Sequence, residues 1–309
     1  MSDKKLTEED YLRRHLQEIE SGKPGSSQEP TKVKIVEDTT TNNLKYFAFD
    51  VREFPSGIFY PQGTTIQIRS AEVKEIQAYS MVDDSNYYDI VEKMNEMLSS
   101  CVRVKYPDGN VGSYLDVRDP DRFYLIFTIR ELTFQQGNSL ATKAVCECGT
   151  ESQLELKRSN FKMFQASEKL EKYYNPVKRC FTFETISGDV FNLAPPSIGL
   201  QKAFTEYIVS ENASKRKPNM SFLKIIPFML HDRTSITQEG IKAKLEEFTS
   251  MNNNSFQFVN SAVEKLTFGI EKVLGACSCG LEVHSDMIFP NGPSALFVDD
   301  DAFERFIKE

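Results

Sequence analysis

The sequence predicts an α+β protein made of two related, duplicated mixed domains that share a structural zinc site and follow a flexible N-terminal arm. Segments with strand-like alternation and segments with helical spacing occur without the regular strand–helix alternation of a doubly wound sheet. Several short motifs recur in the same order in both halves, and each half contains one Cys-x-Cys-Gly turn. The predicted arm, first domain and second domain span residues 1–31, 32–165 and 166–309.

Composition sets the broad class. Of the 309 residues, 40% are hydrophobic and 23 are Phe, which is enough apolar material for a core. No run approaches the roughly 18 apolar residues of a membrane helix, and no secretory signal opens the sequence, so we expect no membrane span. A formal net charge of −8 argues against a general nucleic-acid binder, because such proteins must neutralise phosphates.

The predicted arm contains two local signals. A capping box over residues 7–10 predicts a short helix, and a segment rich in Ser and Gly over 21–27 predicts a linker. Two interpretations stay open for the arm. It is either a disordered tail or a segment that becomes ordered on a neighbouring subunit.

The first domain begins with two strand-like segments, 46–49 and 64–69. A helix is predicted to follow, with Ser85 as its cap and an apolar stripe that ends at Cys101. The segment 123–129 is apolar on both faces, so its pattern is compatible with a buried strand or a buried helix.

The second domain is predicted to be more helical. A hairpin spans 181–191, and a basic loop covers 214–219. A last apolar segment, 302–307, follows three Asp residues and is either a docking helix or the end of the core. Four further helices are predicted from helical spacing, over 200–208, 222–230, 237–248 and 259–266.

Repeated motifs indicate a duplication. Two kinds of turn recur at the same spacing, namely Ser56-Gly57 with Ser187-Gly188, and Cys146-x-Cys148-Gly149 with Cys277-x-Cys279-Gly280. A Leu-Thr-Phe segment also recurs before each cysteine turn, and Phe-x-Phe precedes each Ser-Gly pair. Matches in the same order favour tandem domains over a solenoid, whose repeats run about 20–50 residues.

The cysteines carry the clearest chemical signal. Two tight turns each place a pair of thiolates close together, and four thiolates complete a closed, structural Zn²⁺ site. The predicted ligands are Cys146, Cys148, Cys277 and Cys279. Because only one residue separates the cysteines of each turn, two alternatives stay open: turn cysteines without a metal, and a redox role.

The other candidate residues are weaker. Cys101 and Cys180 are predicted core residues, and His284 is interpreted as a surface strand residue rather than a ligand. The acidic segment 116–121 is interpreted as a helix cap rather than a cation site. No nucleophile motif or nucleotide cradle occurs, so we predict neither an enzyme nor a small-molecule substrate.

Several short motifs resemble one family of phage proteins. They are Phe54-Pro-Ser-Gly-x-x-Tyr60, Glu72-x-x-Glu-Ile-x-x-Tyr79, an amphipathic helix ending near Cys101, and Asp119 or Asp121 followed by Ile129-Arg-x-Leu-x-Phe134 and the paired cysteines. This order resembles the baseplate hub and hub-assembly proteins of T-even-type contractile-tailed bacteriophages. The resemblance covers residues 45–165, and the second half looks like a degenerate copy.

The resemblance implies a non-enzymatic structural component or assembly factor of the baseplate hub. Such a protein would reside in the virion tail, and in the host cytoplasm during assembly, with other hub and tail proteins as partners. An alternative is a zinc-containing nucleic-acid-binding or regulatory protein that uses the basic residues 215–217. A third, a thiol-dependent enzyme, requires a cysteine with a lowered pKa.

Overall fold

The structure is a computed structural model that describes residues 34–37, 45–134, 140–164, 168–186, 188–286 and 288–298. The predicted arm, the predicted C-terminal helix at 302–307 and Ser187 lie outside the described residues. The described residues from Ile35 onwards form one compact unit. Helices and strands are mixed along it, and no described helix is long and apolar enough to cross a bilayer.

The strands form four small sheets within the part of the chain that the structure describes, in the orders β1-β2-β3-β4-β5, β11-β10-β9, β13-β12-β8 and β6-β7. The strands are β1 (Lys34–Glu37), β2 (Lys45–Asp50), β3 (Thr65–Ile68), β4 (Val102–Lys105), β5 (Val111–Ser113), β6 (Ala141–Val145), β7 (Glu151–Glu155), β8 (Phe161–Phe164), β9 (Tyr174–Asn175), β10 (Cys180–Glu184), β11 (Val190–Leu193), β12 (Gly269–Ala276) and β13 (Glu282–Ser285).

The helices confirm most of the sequence predictions, including all four in the second half. They are α1 (Val73–Ser80), α2 (Tyr87–Cys101), α3 (Arg122–Thr133), α4 (Glu168–Glu171), α5 (Ile198–Ala213), α6 (Met220–Met229), α7 (Gln238–Thr249) and α8 (Asn253–Lys265). The predicted strands are β2 and β3, and the predicted hairpin is β10 with β11, which pair antiparallel.

The segment that is apolar on both faces is a helix, α3. It is surrounded by apolar neighbours, with the Phe127 ring 5.0 Å from Phe161 and 5.6 Å from Phe289 between ring centroids. A helix that is hydrophobic on all sides is stable only inside a core, and α3 occupies that position. This environment decides between the two structures that the sequence pattern left open.

The predicted cap of α2 is wrong by one residue. Asn86, not Ser85, caps the helix, and its side-chain oxygen accepts from the backbone N–H of Tyr88 at 3.1 Å. The Ser85 hydroxyl instead donates to Asp83 Oδ1 at 2.6 Å in the preceding turn. Ser and Asn are about equally good caps, so the backbone path decides which of two neighbours is used.

Two hydrophobic cores contain most of the buried apolar residues. The first combines residues between Phe49 and Phe161 with Ile198 and with residues between Val273 and Phe297. The second combines residues between Leu170 and Leu266 with Phe59 from the first half. Each of the two described cores therefore contains residues from both halves of the chain. The domain boundary at 165/166 stays a prediction.

A buried ion pair fixes α1 to the end of β3. Arg69 and Glu75 lie 2.7 Å apart, with 5% and 6% of their side chains exposed. Glu75 also accepts from the backbone N–H of Glu72 and so completes a capping box at the start of α1. The Glu72-x-x-Glu-Ile-x-x-Tyr79 motif is therefore structural here. Its tyrosine packs edge-on against Phe297, with 5.0 Å between ring centroids.

We expect Glu75→Ala to lower the free energy of unfolding by about 3–5 kcal/mol, because it leaves the buried Arg69 guanidinium without its carboxylate. The matched control is Glu96→Ala, which removes a partly exposed pair with Lys93 at 2.8 Å and should cost less than about 1 kcal/mol. Urea unfolding of both variants measures the difference. Equal losses would contradict the structural role given to the buried pair.

Candidate metal centre

Two hairpins carry the predicted cysteine ligands, and their turns have the same geometry. In the β6–β7 hairpin, the Gly149 N–H donates to the Cys146 carbonyl at 2.9 Å. In the β12–β13 hairpin, the Gly280 N–H donates to the Cys277 carbonyl, also at 2.9 Å. The two glycines have φ values of +85° and +88°, a conformation that only Gly adopts without strain.

Close packing of strands from the two hairpins brings the turns together. A Cβ atom at Gly275 on β12 would lie 2.5 Å from Leu154 Cδ2 on β7, so the missing side chain permits this approach. The buried hydroxyls of Thr142 and Ser285 hydrogen bond across the same contact at 3.1 Å. Strand β12 also pairs antiparallel with β8, with Val273 opposite Phe161. The second hairpin is thereby fixed to the first core.

The structure brings all four predicted ligands into one cluster, with the four sulfur atoms within 4.8 Å of one another. Cys146 Sγ lies 3.6 Å from Cys279 Sγ, and Cys148 Sγ lies 3.7 Å from Cys277 Sγ. All four are free thiols. Sulfurs bound tetrahedrally to Zn²⁺ at about 2.3 Å stand roughly 3.8 Å apart, so both short separations match the edge of such a site. The cluster could hold a metal ion.

The sulfur contacts are reciprocal. The first cysteine of each hairpin contacts the second cysteine of the other. The first cysteines, Cys146 and Cys277, are buried, and the second, Cys148 and Cys279, are exposed. Exchanging the two hairpins therefore maps one contact onto the other, as expected for a local two-fold axis through the cluster.

Hydrogen bonds donated by the turns stabilise the thiolate form of the cysteines, but negative charges on neighbouring sulfurs repel one another. The backbone N–H of Cys279 and the Ser152 hydroxyl lower the pKa of Cys277 to about 6. For Cys146, the backbone N–H of Cys148 lowers the pKa, but burial and the neighbouring sulfurs outweigh it and raise the pKa to about 12. Four thiolates this close cannot all be charged unless a cation balances them.

The remaining sequence candidates lie away from this cluster. Cys101 ends α2 and Cys180 begins β10, and both are buried, as predicted. His284 is exposed on β13 and is not among the clustered ligands. In the basic loop, Arg216 is held by two hydrogen bonds to the Glu211 carboxylate, each 2.7 Å.

In the acidic segment 116–121, Asp121 does not cap the following helix through its side chain as predicted. Asp121 precedes α3, but its side chain makes no capping bond. It is fully buried and accepts from the Ser56 backbone N–H at 2.8 Å and from the Tyr60 hydroxyl at 2.6 Å. Ser56 and Tyr60 belong to the Phe-Pro-Ser-Gly-x-x-Tyr motif, so this motif and Asp121 form one polar network that sequence reasoning missed.

Arg118 extends this network towards the second core. Its backbone N–H donates to the Tyr60 hydroxyl at 2.8 Å. Its guanidinium donates to the carbonyls of Pro195 at 3.0 Å and His231 at 2.6 Å. The proximity of the acid and both motif residues depends on tertiary structure, and no local pattern encodes it.

Comparison with known proteins gives no family assignment. No protein-family model matches the chain, and no curated protein or solved structure is significantly similar to it. The site geometry and the sequence motifs are therefore the basis for the function proposed below.

Burial raises the pKa of Asp121 to about 7 from 3.8, against hydrogen bonds from Tyr60 and Ser56 that lower it. Between these two values Asp121 holds its proton in the folded state and loses it in the unfolded state, so its own contribution to stability should fall as pH rises through this window, opposite in sign to that of His231, whose pKa burial lowers to about 4. We expect Asp121→Asn to flatten this decline between about pH 4 and 7, while the exposed control Asp108→Asn keeps it. Melting temperatures recorded across this range test the expectation, and parallel wild-type and Asp121→Asn curves would contradict it.

Proposed function

We propose that this chain is a non-enzymatic scaffold whose two cysteine hairpins are joined by one structural Zn²⁺ ion. The observation that carries the proposal is the sulfur cluster, which links residues far apart in sequence at the edge of the first core. A closed site with four protein ligands has no open position for water or substrate, so its metal stabilises structure rather than performing chemistry.

The donor set favours zinc over harder cations. Thiolates are soft ligands, and a tetrahedral arrangement of four is typical of zinc or iron–sulfur sites, whereas Mg²⁺ and Ca²⁺ prefer oxygen. The two short separations of 3.6 and 3.7 Å fit one ion shared between the hairpins. The ion would supply positive charge that offsets the repulsion among the sulfurs, and its binding energy would add to folding energy.

The proposal includes a duplication of the cysteine hairpin with its preceding helix. Support comes from the matching turn bonds and from the Leu-Thr-Phe segments, which run across the C-terminal ends of α3 and α8. The Ser-Gly repeat gives no such support. Gly57 lies in a 3-10 turn against the Val51 carbonyl, whereas Gly188 has a φ of +87° in the β10–β11 turn.

We further propose that the chain is a structural component or assembly factor of a contractile-tailed phage baseplate hub, in contact with other hub and tail proteins. The baseplate assignment rests on the resemblance of the sequence motifs to those of baseplate hub and hub-assembly proteins. It is supported by their position in buried contacts: the motif residues Tyr60, Glu75 and Tyr79 all bind or pack against other parts of the first core. Residues in buried contacts of this kind are better suited to stabilising a rigid scaffold than to catalysing a reaction.

Elemental analysis of the reduced, purified chain should find one zinc per chain. Cys146→Ser and Cys277→Ser should each abolish zinc binding and lower the melting temperature, because either change breaks the same shared site. Cys180→Ser, a buried cysteine of the second core, is the matched control and should keep its zinc. Loss of metal from only one of the two hairpin variants would show that the hairpins do not share one ion.

The baseplate assignment has an independent test. Mass spectrometry of purified virions and of tail-assembly intermediates should detect the chain in at least one of the two. A permanent component is expected in both, and an assembly factor only in the intermediates. Absence from both preparations, with the chain expressed in the same cells, would exclude the assignment and leave the metal proposal standing.

A further inference from the structure

We infer that the four cysteines are also a modification site, in which a two-electron oxidant such as hydrogen peroxide forms two disulfides, Cys146–Cys279 and Cys148–Cys277. Each of these disulfides joins one hairpin to the other. The inference rests on the proposed shared metal centre and adds a second, metal-free state of the same link.

The two sulfur–sulfur contacts favour this pairing. The separations of 3.6 and 3.7 Å both run between hairpins, and a disulfide requires about 2.05 Å, so each pair must approach by roughly 1.6 Å. A bond within one hairpin would close a small ring across a single residue. The hydrogen bond between Gly149 and Cys146 already fixes that turn, so a disulfide there would have to distort it.

Exposure gives the two members of each pair different roles. Cys148 and Cys279 are exposed and can meet an oxidant from solvent, whereas Cys146 and Cys277 are buried. Each cross-hairpin pair therefore contains one accessible sulfur and one protected sulfur. An exposed cysteine beside a second cysteine that resolves the first oxidation product is the usual arrangement of a reversible thiol oxidation site.

The chemistry balances for each pair. The exposed thiolate attacks one peroxide oxygen, the O–O bond breaks, and a sulfenic acid and hydroxide form. The buried thiolate then attacks the sulfenic sulfur, an S–S bond forms, the S–O bond breaks, and a second hydroxide leaves. Two protons convert the hydroxides to water, and the two electrons lost by sulfur reduce the peroxide. A Zn²⁺ ion held by the four sulfurs would take no part in the electron transfer and would be released as its ligands are consumed.

The remaining cysteines serve as internal controls. Cys101 is fully buried in the first core, where an oxidant in solvent does not reach it. Cys180 is buried in the second core. Neither belongs to the sulfur cluster. Oxidation should therefore stop with these two thiols free.

The test treats the purified full-length chain, with its zinc content already measured, with hydrogen peroxide. A zinc indicator should report release of one zinc per chain while free thiols fall from six to two. Non-reducing peptide mapping should recover the pairs 146–279 and 148–277. The oxidised, metal-free chain should also keep a higher melting temperature than the reduced, metal-free chain, because both disulfides hold the hairpins together.

Several outcomes would overturn the inference: disulfides within a hairpin, cysteines oxidised only to sulfinic or sulfonic acid, or zinc-loaded protein that resists peroxide. The last outcome would leave the zinc proposal intact. Cross-hairpin pairing in a chain that binds no zinc even after complete reduction would instead support the disulfides and overturn the zinc proposal.

Two double variants test the pairing without zinc. Cys148→Ser/Cys277→Ser retains one cross-hairpin pair, and Cys146→Ser/Cys148→Ser retains only the pair within the second hairpin. The first should form an intramolecular disulfide many times faster than the second. Similar rates would contradict the pairing, and peptide mapping of the wild-type chain gives the answer if either variant fails to fold.

Discussion

The packing of the two cysteine hairpins against each other is the contact on which the rest of the fold depends. Strand β12 pairs with β8 and packs on β7, and so completes a core that begins more than one hundred residues earlier in the chain. Everything between β8 and β12 is thereby closed into a loop with adjacent ends. Because the entropic cost of loop closure rises only slowly with loop length, the inclusion of nearly all of the second core in this loop adds little to that cost.

A second connection between the two cores consists of polar contacts and lies apart from the cysteine hairpins. Arg118 joins the Asp121 network of the first core to carbonyls at the edge of the second. Polar networks that contain a buried carboxyl group such as Asp121 add little net stability compared with apolar packing, but breaking them is costly, so they penalise alternative arrangements. Phe59 complements this connection, because its ring lies in the second core, 5.0 Å from Phe268 between centroids, although its chain segment belongs to the first half.

Local sequence patterns predicted those strands and helices whose formation depends mainly on residues close together in the sequence. Strand alternation predicted β2, β3 and the β10–β11 hairpin, and helical spacing predicted α2 and α5–α8. Repetition of a four-residue turn identified all four clustered cysteines, because both copies carry the same residues at the same spacing. The zinc ion itself and the function as a whole stay proposals.

Other features could not be derived from the sequence alone. Helix α1 was missed because a Glu residue caps it, and Glu is not a usual cap. The segment that became α3 was undecidable, since only its surroundings distinguish a buried helix from a buried strand. The Asp121 network depends on residues about sixty positions apart that meet only after folding.

The late position of β12 and β13 has a consequence for synthesis on the ribosome. The first core cannot be completed until the second hairpin has been translated, because β8 lacks its partner strand until then. At typical translation rates this delay is on the order of ten seconds, during which an unpaired strand edge and half of the sulfur cluster are exposed on the nascent chain. A chain that terminates before Cys277 contains only the first cysteine pair and cannot assemble the four-sulfur centre, so the centre distinguishes translation products that include the second hairpin from those that stop before it.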